Sequence, residues 1–374
     1  MSTSGIALVL AIAPKRFRGL SEIGLAVFLL DLIFFCFITV AILVRFGLYR
    51  HTLQRAFTRP SEALFVPTLL LSVCAILANV AEYGRLFLSR QTMRIGGPMA
   101  EFLEVAFWVY LGVTFVFSVG QYHLLFTVKE ERRLLPSAMT PAWILPIFPV
   151  MLAGTLAGAA TRSLPGERAL AVACAGLAAQ GLGFMISVFF YSTYLSRLMA
   201  YGLPAQRPGM FIAVGPPSFT CAALLSLAGE MPRVFSELQT AGPGTRGGVL
   251  VADITGRGGD LATLATAVRL GAIASAVFLL GLSFWFFASA SLASLAGMPD
   301  RRFHLSWWGL VFPNVGLVIA SIRIGAAFGS HGVLWMATVM TAGLVLGWAF
   351  IAYRCIRAVY KREIVWPGHD EDEA

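Results

Sequence analysis

Apolar residues in this chain come in long unbroken runs, and the polar residues are gathered into short stretches between them. The first run, Met1 to Ala13, has 13 residues. Nine more cover approximately 21–46, 61–81, 98–128, 140–160, 169–199, 209–229, 261–296, 305–327 and 332–357. A membrane-spanning helix needs about 20 apolar residues, so the nine predict spanning helices and the first predicts the later half of one. The basic cluster Lys15, Arg16 and Arg18 follows the first run instead of preceding it, which argues against a signal peptide. The expectation is a first helix that is short or lacks its true start. The pattern predicts an all-α integral membrane protein with ten transmembrane helices in a single domain, 1–360, followed by an acidic tail, 361–374.

Proline divides the runs into two kinds. The even runs are 26 to 36 residues long with no interior proline. Runs three, five, seven and nine are shorter and carry Pro67, Pro146 with Pro149, Pro216 with Pro217, and Pro313. A proline inside a helix removes a hydrogen bond and clashes with the preceding turn, so each odd helix is expected to kink. In lipid such a break is tolerated only where protein or a water-filled cavity satisfies the freed groups. The alternation predicts five helical hairpins, with an inner ring of kinked odd helices around a central pore and an outer ring of straight even helices.

The ninth run holds the sharpest candidate. His304 to Gly325 reads HLSWWGLVFPNVGLVIASIRIG, and Phe312 with Pro313 lies near its middle. A large aromatic at a break beside a cavity is placed to plug it, so Phe312 is the expected pore gate. At about 100° per residue, Gly316, Ile319 and Arg323 fall within about 40° of the same helix face. Arg323 then lies roughly 16 Å along the axis, where it would attract anions and repel cations; alternatively it snorkels to the membrane interface. Pro313 and Asn314 adjoin the gate. In run seven the stretch Gly215, Pro216, Pro217, Ser218 frees two carbonyls near the Ser218 and Thr220 hydroxyls. That cluster either forms a polar ring that replaces part of a ligand's hydration or merely repairs the break.

Other polar residues are weaker candidates. Asp31, mid-run in an outer helix, needs a partner, a cavity or a proton. Arg269 and Glu101 lie nearer helix ends and read as interfacial. Trp307 and Trp308 read as interface anchors, close enough to Phe312 to support it by packing.

Composition narrows the class further. The chain is 58% hydrophobic and 13% charged, against about a quarter charged in soluble domains. The net charge of +9 is dispersed over short loops, which suits lipid headgroups and excludes nucleic acid as a partner. Lys and Arg slightly favour the ends following even runs, 15 against 12, which places both termini in the cytoplasm. The Lys-free loop from Glu230 to Asp260 then falls outside. The five cysteines show neither metal-ligand spacing nor a disulfide framework. No nucleotide loop, zinc-protease motif or nucleophile elbow is present, so neither an enzyme nor a cofactor is expected, and transport would be passive or coupled to a gradient.

Four stretches carry a resemblance: RPSEALFVPTLL (59–70), MTPAWILPIFPVMLAGT (139–155), VGPPSFTCAALL (214–225) and HLSWWGLVFPNVGL (304–317). They resemble the tellurite-resistance/dicarboxylate transporter family, which includes slow-anion-channel-like proteins, and within it the fungal malic acid permeases most. The opening MSTSGI is similar to a Met-x-Thr-Gly pattern in the later half of that family's first helix. The resemblance implies ten helices in five hairpins around a pore, occluded by a ninth-helix phenylalanine whose position Phe312 matches. It also implies homotrimers, a plasma-membrane location, and anions such as malate, sulfite, tellurite, chloride or nitrate as substrates. The expected function is passive or proton-coupled transport of C4-dicarboxylates such as malate. A gated anion channel or sulfite efflux pump on the same fold is the alternative, and a non-transporting membrane sensor or scaffold a third reading.

Overall fold

The computed structural model describes residues 1–88, 91–130, 133–240, 249, 261–297 and 303–364, which contain helices and no strand. In chain order the helices are α1 (Ser2–Ile12), α2 (Leu20–Leu48), α3 (Arg50–Thr58), α4 (Pro60–Ala63), α5 (Thr68–Phe87) and α6 (Pro98–Thr127). They continue with α7 (Phe148–Ala160), α8 (Gly166–Tyr201), α9 (Gly215–Thr240), α10 (Leu261–Leu295), α11 (Phe312–Phe328) and α12 (His331–Tyr360). Eight helical segments among the described residues are long and apolar enough to cross a membrane. Against the ten expected, α1 has 11 residues and α7 has 13, because run five is interrupted by a turn at 145–147 that contains Pro146.

The prolines do not kink continuous helices. Pro149 and Pro313 occupy the first turn of α7 and α11, Pro216 and Pro217 the first turn of α9, and Pro67 caps α5. A first-turn N–H has no intrahelical partner, so proline there forfeits no bond. A separate tight 3-10 segment precedes α7, α9 and α11 (Pro141–Ile144, Arg207–Val214 and Leu305–Leu310), whereas α5 follows the short α4 and a turn at 64–67. These three odd spans are therefore discontinuous, each a short 3-10 lead followed by an α-helix.

Two boundaries move. Helix α5 continues past residue 81 to Phe87, which takes Glu82 and Arg85 into the helix. Helix α9 continues past residue 229 to Thr240, with Pro232 inside it, so the first third of the expected external loop is helical. The rest of that loop, apart from residue 249, and the tail beyond residue 364 lie outside the described residues.

Burial separates the spans into two kinds. In the most apolar window of Arg207–Thr240, 94% of residues are buried, and in that of Leu305–Phe328, 78%. The figure falls to 11% for Leu20–Leu48 and 22% for Leu261–Leu295 and His331–Tyr360. Helices α1, α5, α7, α9 and α11 contact one another in sequence, and α11 returns to α1, so their contacts close a circuit. Each also packs on the long helix that follows it: α2, α6, α8, α10 and α12 respectively. The long helices turn large apolar side chains such as Phe37, Val116, Phe189 and Phe278 outward, as lipid contact requires.

Tyrosines serve the backbone at the breaks. On the long helices, Tyr110 donates to the carbonyl of Pro149 (3.1 Å), Tyr122 to Trp143 (2.9 Å) and Tyr191 to Ala213 (2.8 Å). Tyr83 on α5 does the same for Ala7 of α1 (2.7 Å). Without water an unmet carbonyl costs several kcal/mol, so the Tyr122 and Tyr191 hydroxyls let the 3-10 backbone at Trp143 and Ala213 persist inside the protein.

Candidate translocation path

Three of the helix starts meet. Phe148 opens α7, Phe312 opens α11, and Phe219 lies in the second turn of α9. Their rings form a triangle with centroid separations of 5.8 Å (Phe148–Phe219), 6.2 Å (Phe148–Phe312) and 5.3 Å (Phe219–Phe312). Two glycines make room for it. A Cβ on Gly215 would sit 2.7 Å from the tip of the Phe148 ring, and one on Gly316 2.8 Å from Phe219.

On the side of the 3-10 leads, Phe148 and Phe312 face a vestibule of about 610 Å3. Its polar lining includes Thr68, Ser72, Ser306 and the buried Asp31 of α2. Asp31 Oδ1 lies 3.9 Å from the Met1 amino group. Because α7 and α11 begin at the ring cluster, their N-terminal residues Phe148, Phe312 and Pro313 border the vestibule. Such an end carries roughly half a positive charge, and convergent half-helix ends favour an anion at mid-membrane.

Beyond the rings, about two helical turns further on, lies a cavity of about 30 Å3, room for about one water. Ile319 and Arg323 line it from α11, Thr155 from α7, Ser226 from α9, and Ala78 with Glu82 from α5. Arg323 is half-buried and has no hydrogen bond or ion pair among the described residues. The other charges at this end are matched. Glu82 Oε1 accepts from Arg162 (3.0 Å) and forms an ion pair with Arg85 (2.7 Å). Glu230 faces Arg162 (3.7 Å) and Arg233 (3.4 Å), and Arg233 also reaches Glu237 (2.7 Å).

The candidate residues fall into separate groups. Phe312 and Pro313 border the vestibule, and Arg323 and Ile319 share the small cavity. Gly215, Pro216, Pro217, Ser218, Asn314 and Gly316 are buried and border neither space. Ser218 donates to the carbonyl of Val214 (2.7 Å) and Thr220 to that of Pro216 (2.7 Å), so their protons repair the break. Thr220 also accepts from the Gln180 amide (2.8 Å). Asn314 donates to the carbonyl of Leu310 (2.7 Å). Arg269 and Glu101 lie away from both spaces, each near the start of its long helix. Trp308 borders the vestibule, whereas Trp307 is buried under the Arg354 guanidinium, 5.2 Å from its ring centre.

Sequence reasoning passed over Phe148, Phe219, Glu82 and Arg162. The Phe-Pro pair at 148–149 repeats the pair at 312–313 and was a readable signal for the first. Glu82 lay one residue beyond its apolar run.

The eight spanning segments and the broken-helix core around the three rings define a multi-pass membrane protein. The chain belongs to the SLAC1 family, described as voltage-dependent anion channels, whose pattern matches residues 1–356. A putative malic acid transport protein of Schizosaccharomyces pombe is 32% identical over 381 residues, covering all of this chain and 80% of the relative. The malic acid transport protein of the same yeast is 30% identical over 383 residues, covering all of this chain and 79% of its own length. The sulfite efflux pump SSU1 of Trichophyton rubrum is 23% identical over 371 residues, covering 96% of this chain and 90% of the pump. The family and these relatives are channels and transporters, not enzymes.

Proposed function

We propose that this protein carries C4-dicarboxylates such as malate across the membrane, passively or together with a proton. The path runs along the axis of ten transmembrane helices in five hairpins, with α1, α5, α7, α9 and α11 inside and the long helices outside. The observation that carries the reading is the ring cluster of Phe148, Phe219 and Phe312, which stands between the vestibule and the Arg323 cavity. Phe312 is the gate, and Arg323 attracts the anion on the far side. Gly316 and Gly215 seat the rings, while Pro216, Pro217, Ser218, Pro313 and Asn314 shape the helix starts. Malate is the preferred substrate because two relatives bearing that name are at least 30% identical over the whole chain. The proposal is completed by a homotrimer in the plasma membrane, whose broad apolar outer faces meet lipid and neighbouring subunits.

Purified protein in liposomes tests this. Uptake of labelled malate, competed by succinate more strongly than by sulfite, is expected. Large chloride or nitrate currents without malate flux would reject the carrier. Sulfite outcompeting malate would favour the second reading, a sulfite pump, which rests on the 23% identical relative. Light scattering of the detergent-solubilised protein measures the subunit number, and imaging of a fluorescent fusion locates it.

A further inference from the structure

A third space lies away from the proposed path. It is a groove of about 560 Å3 between the last turns of α9, the first turns of α10 and the end of α11 at Ala327. Along α10 its lining is apolar inward of Arg269, at Leu270 and Ile273, and along α9 it is apolar inward of Ser236, at Phe235. Arg269, Thr266, Ser236 and Gln239 stand toward the helix ends. No carboxylate is in this lining, and Glu237, beside it on α9, is paired with Arg233 (2.7 Å). Arg269 is the one charged residue of α10. It is exposed and has no hydrogen bond or ion pair among the described residues.

Depth decides what meets this arginine. Helix α10 has 35 residues and is therefore roughly 52 Å long. The hydrocarbon core of a bilayer is about 30 Å thick, so a centred α10 emerges from it by about 11 Å at each end. Arg269 follows Leu261, the first residue of α10, by eight positions, which places it about 12 Å along the axis. That is the boundary where lipid phosphates and glycerol backbones meet the acyl chains.

We propose that this groove binds one anionic glycerophospholipid, with its phosphate on Arg269 and an acyl chain along Phe235, Leu270 and Ile273. The guanidinium offers a planar fork that matches phosphate oxygens. Gln239, exposed and without a hydrogen bond among the described residues, adds an amide donor. Ser236 and Thr266 give their protons to the carbonyls of Arg233 (3.1 Å) and Ala262 (2.7 Å), which leaves their oxygens to accept from headgroup hydroxyls. One unmatched positive charge calls for one net negative charge, which a zwitterionic lipid lacks. A free phosphate ion would meet Arg269 but leave the apolar walls uncovered. The site lies outside the proposed path and stands whether or not malate is the cargo.

The test follows the melting temperature of the full chain in dodecyl maltoside micelles. Dioleoylphosphatidylglycerol, dioleoylphosphatidylcholine or inorganic phosphate is added in turn, and a ligand of the folded state raises the midpoint. Phosphatidylglycerol should raise it to a plateau that neither of the others reaches. Arg269→Gln should weaken the apparent phosphatidylglycerol affinity about tenfold, as loss of one charge-assisted contact does. Thr266→Trp, which fills the groove and spares Arg269, should weaken it as well. Arg45→Gln removes an exposed arginine of α2 that lines neither the groove nor the vestibule. It should change the affinity less than about twofold, because exposed distant charge is screened. An unchanged affinity in Arg269→Gln overturns the proposal, and so does equal weakening in Arg269→Gln and Arg45→Gln, which would make the lipid an unspecific shell. Inorganic phosphate or phosphatidylcholine matching phosphatidylglycerol overturns it too. A lower subunit number in Thr266→Trp by light scattering, with no lipid effect on the unaltered protein, would assign the groove to a second copy of the chain instead.

Discussion

As the proposed gate, Phe312 would not act alone. Phe219 supports it at 5.3 Å and Phe148 at 6.2 Å, and both supports come from neighbouring helices of the core. Phe312→Ala opens one corner of this triangle and is expected to raise anion flux severalfold, read as labelled uptake per folded protein. Lower flux in a stable variant would show that the ring guides anions instead of blocking them. Gly316→Ala acts on the same cluster from behind. Its methyl would come within 2.8 Å of the Phe219 ring, so the ring must shift and basal flux should change, while Gly332→Ala, where a methyl meets nothing, should leave it alone. Tyr191 shows how the surroundings hold the breaks in place. Removing its hydroxyl (Tyr191→Phe) strands the buried Ala213 carbonyl and should lower stability by about 1–3 kcal/mol, measured as a fall in melting temperature in detergent.

Among the elements, the distinction between a kink and a start has consequences. Had Pro313 interrupted a continuous helix, replacing it with alanine would restore a hydrogen bond. At the first turn of α11 no such bond is lost. Pro313→Ala is therefore expected to change stability by less than about 1 kcal/mol, as the small propensity differences at a helix end allow. A large gain in melting temperature would restore the kink. The apolar runs were legible because lipid imposes about 20 such residues per crossing, and the proline alternation marked which spans are broken. The nature of the break was not legible. Proline at a helix start and proline at a kink give the same letters, and only the 3-10 segments Arg207–Val214 and Leu305–Leu310 tell them apart. The polar ends of α5 and α9 were missed for a related reason. Glu82, Arg85 and Glu230 end an apolar run on any hydropathy criterion, yet helix continues there, with Arg85 paired to Glu82 within α5 and Glu82 and Glu230 both paired to Arg162.

Over the whole molecule, one arginine outside the spans fastens three elements. Arg162 joins Glu82 of α5 to Glu230 of α9 and reaches Ser226 at 3.5 Å, from a position just after α7. Arg162→Ala leaves two half-buried carboxylates short of a partner and should cost about 3–5 kcal/mol in full burial, less here because Arg85 and Arg233 remain. Thermal unfolding in detergent measures it, and an unchanged melting temperature would mean that solvent screens the network. The vestibule and the small cavity differ some twentyfold in volume, about 610 against about 30 Å3. The helix ends bias the wide mouth, and a discrete charge sits at the narrow one. Anions arriving on the proposed path from opposite faces of the membrane would thus climb unlike barriers. On the proposed path the two mouths are unlike, so at matched anion concentrations reversing the voltage should not return a current of equal size.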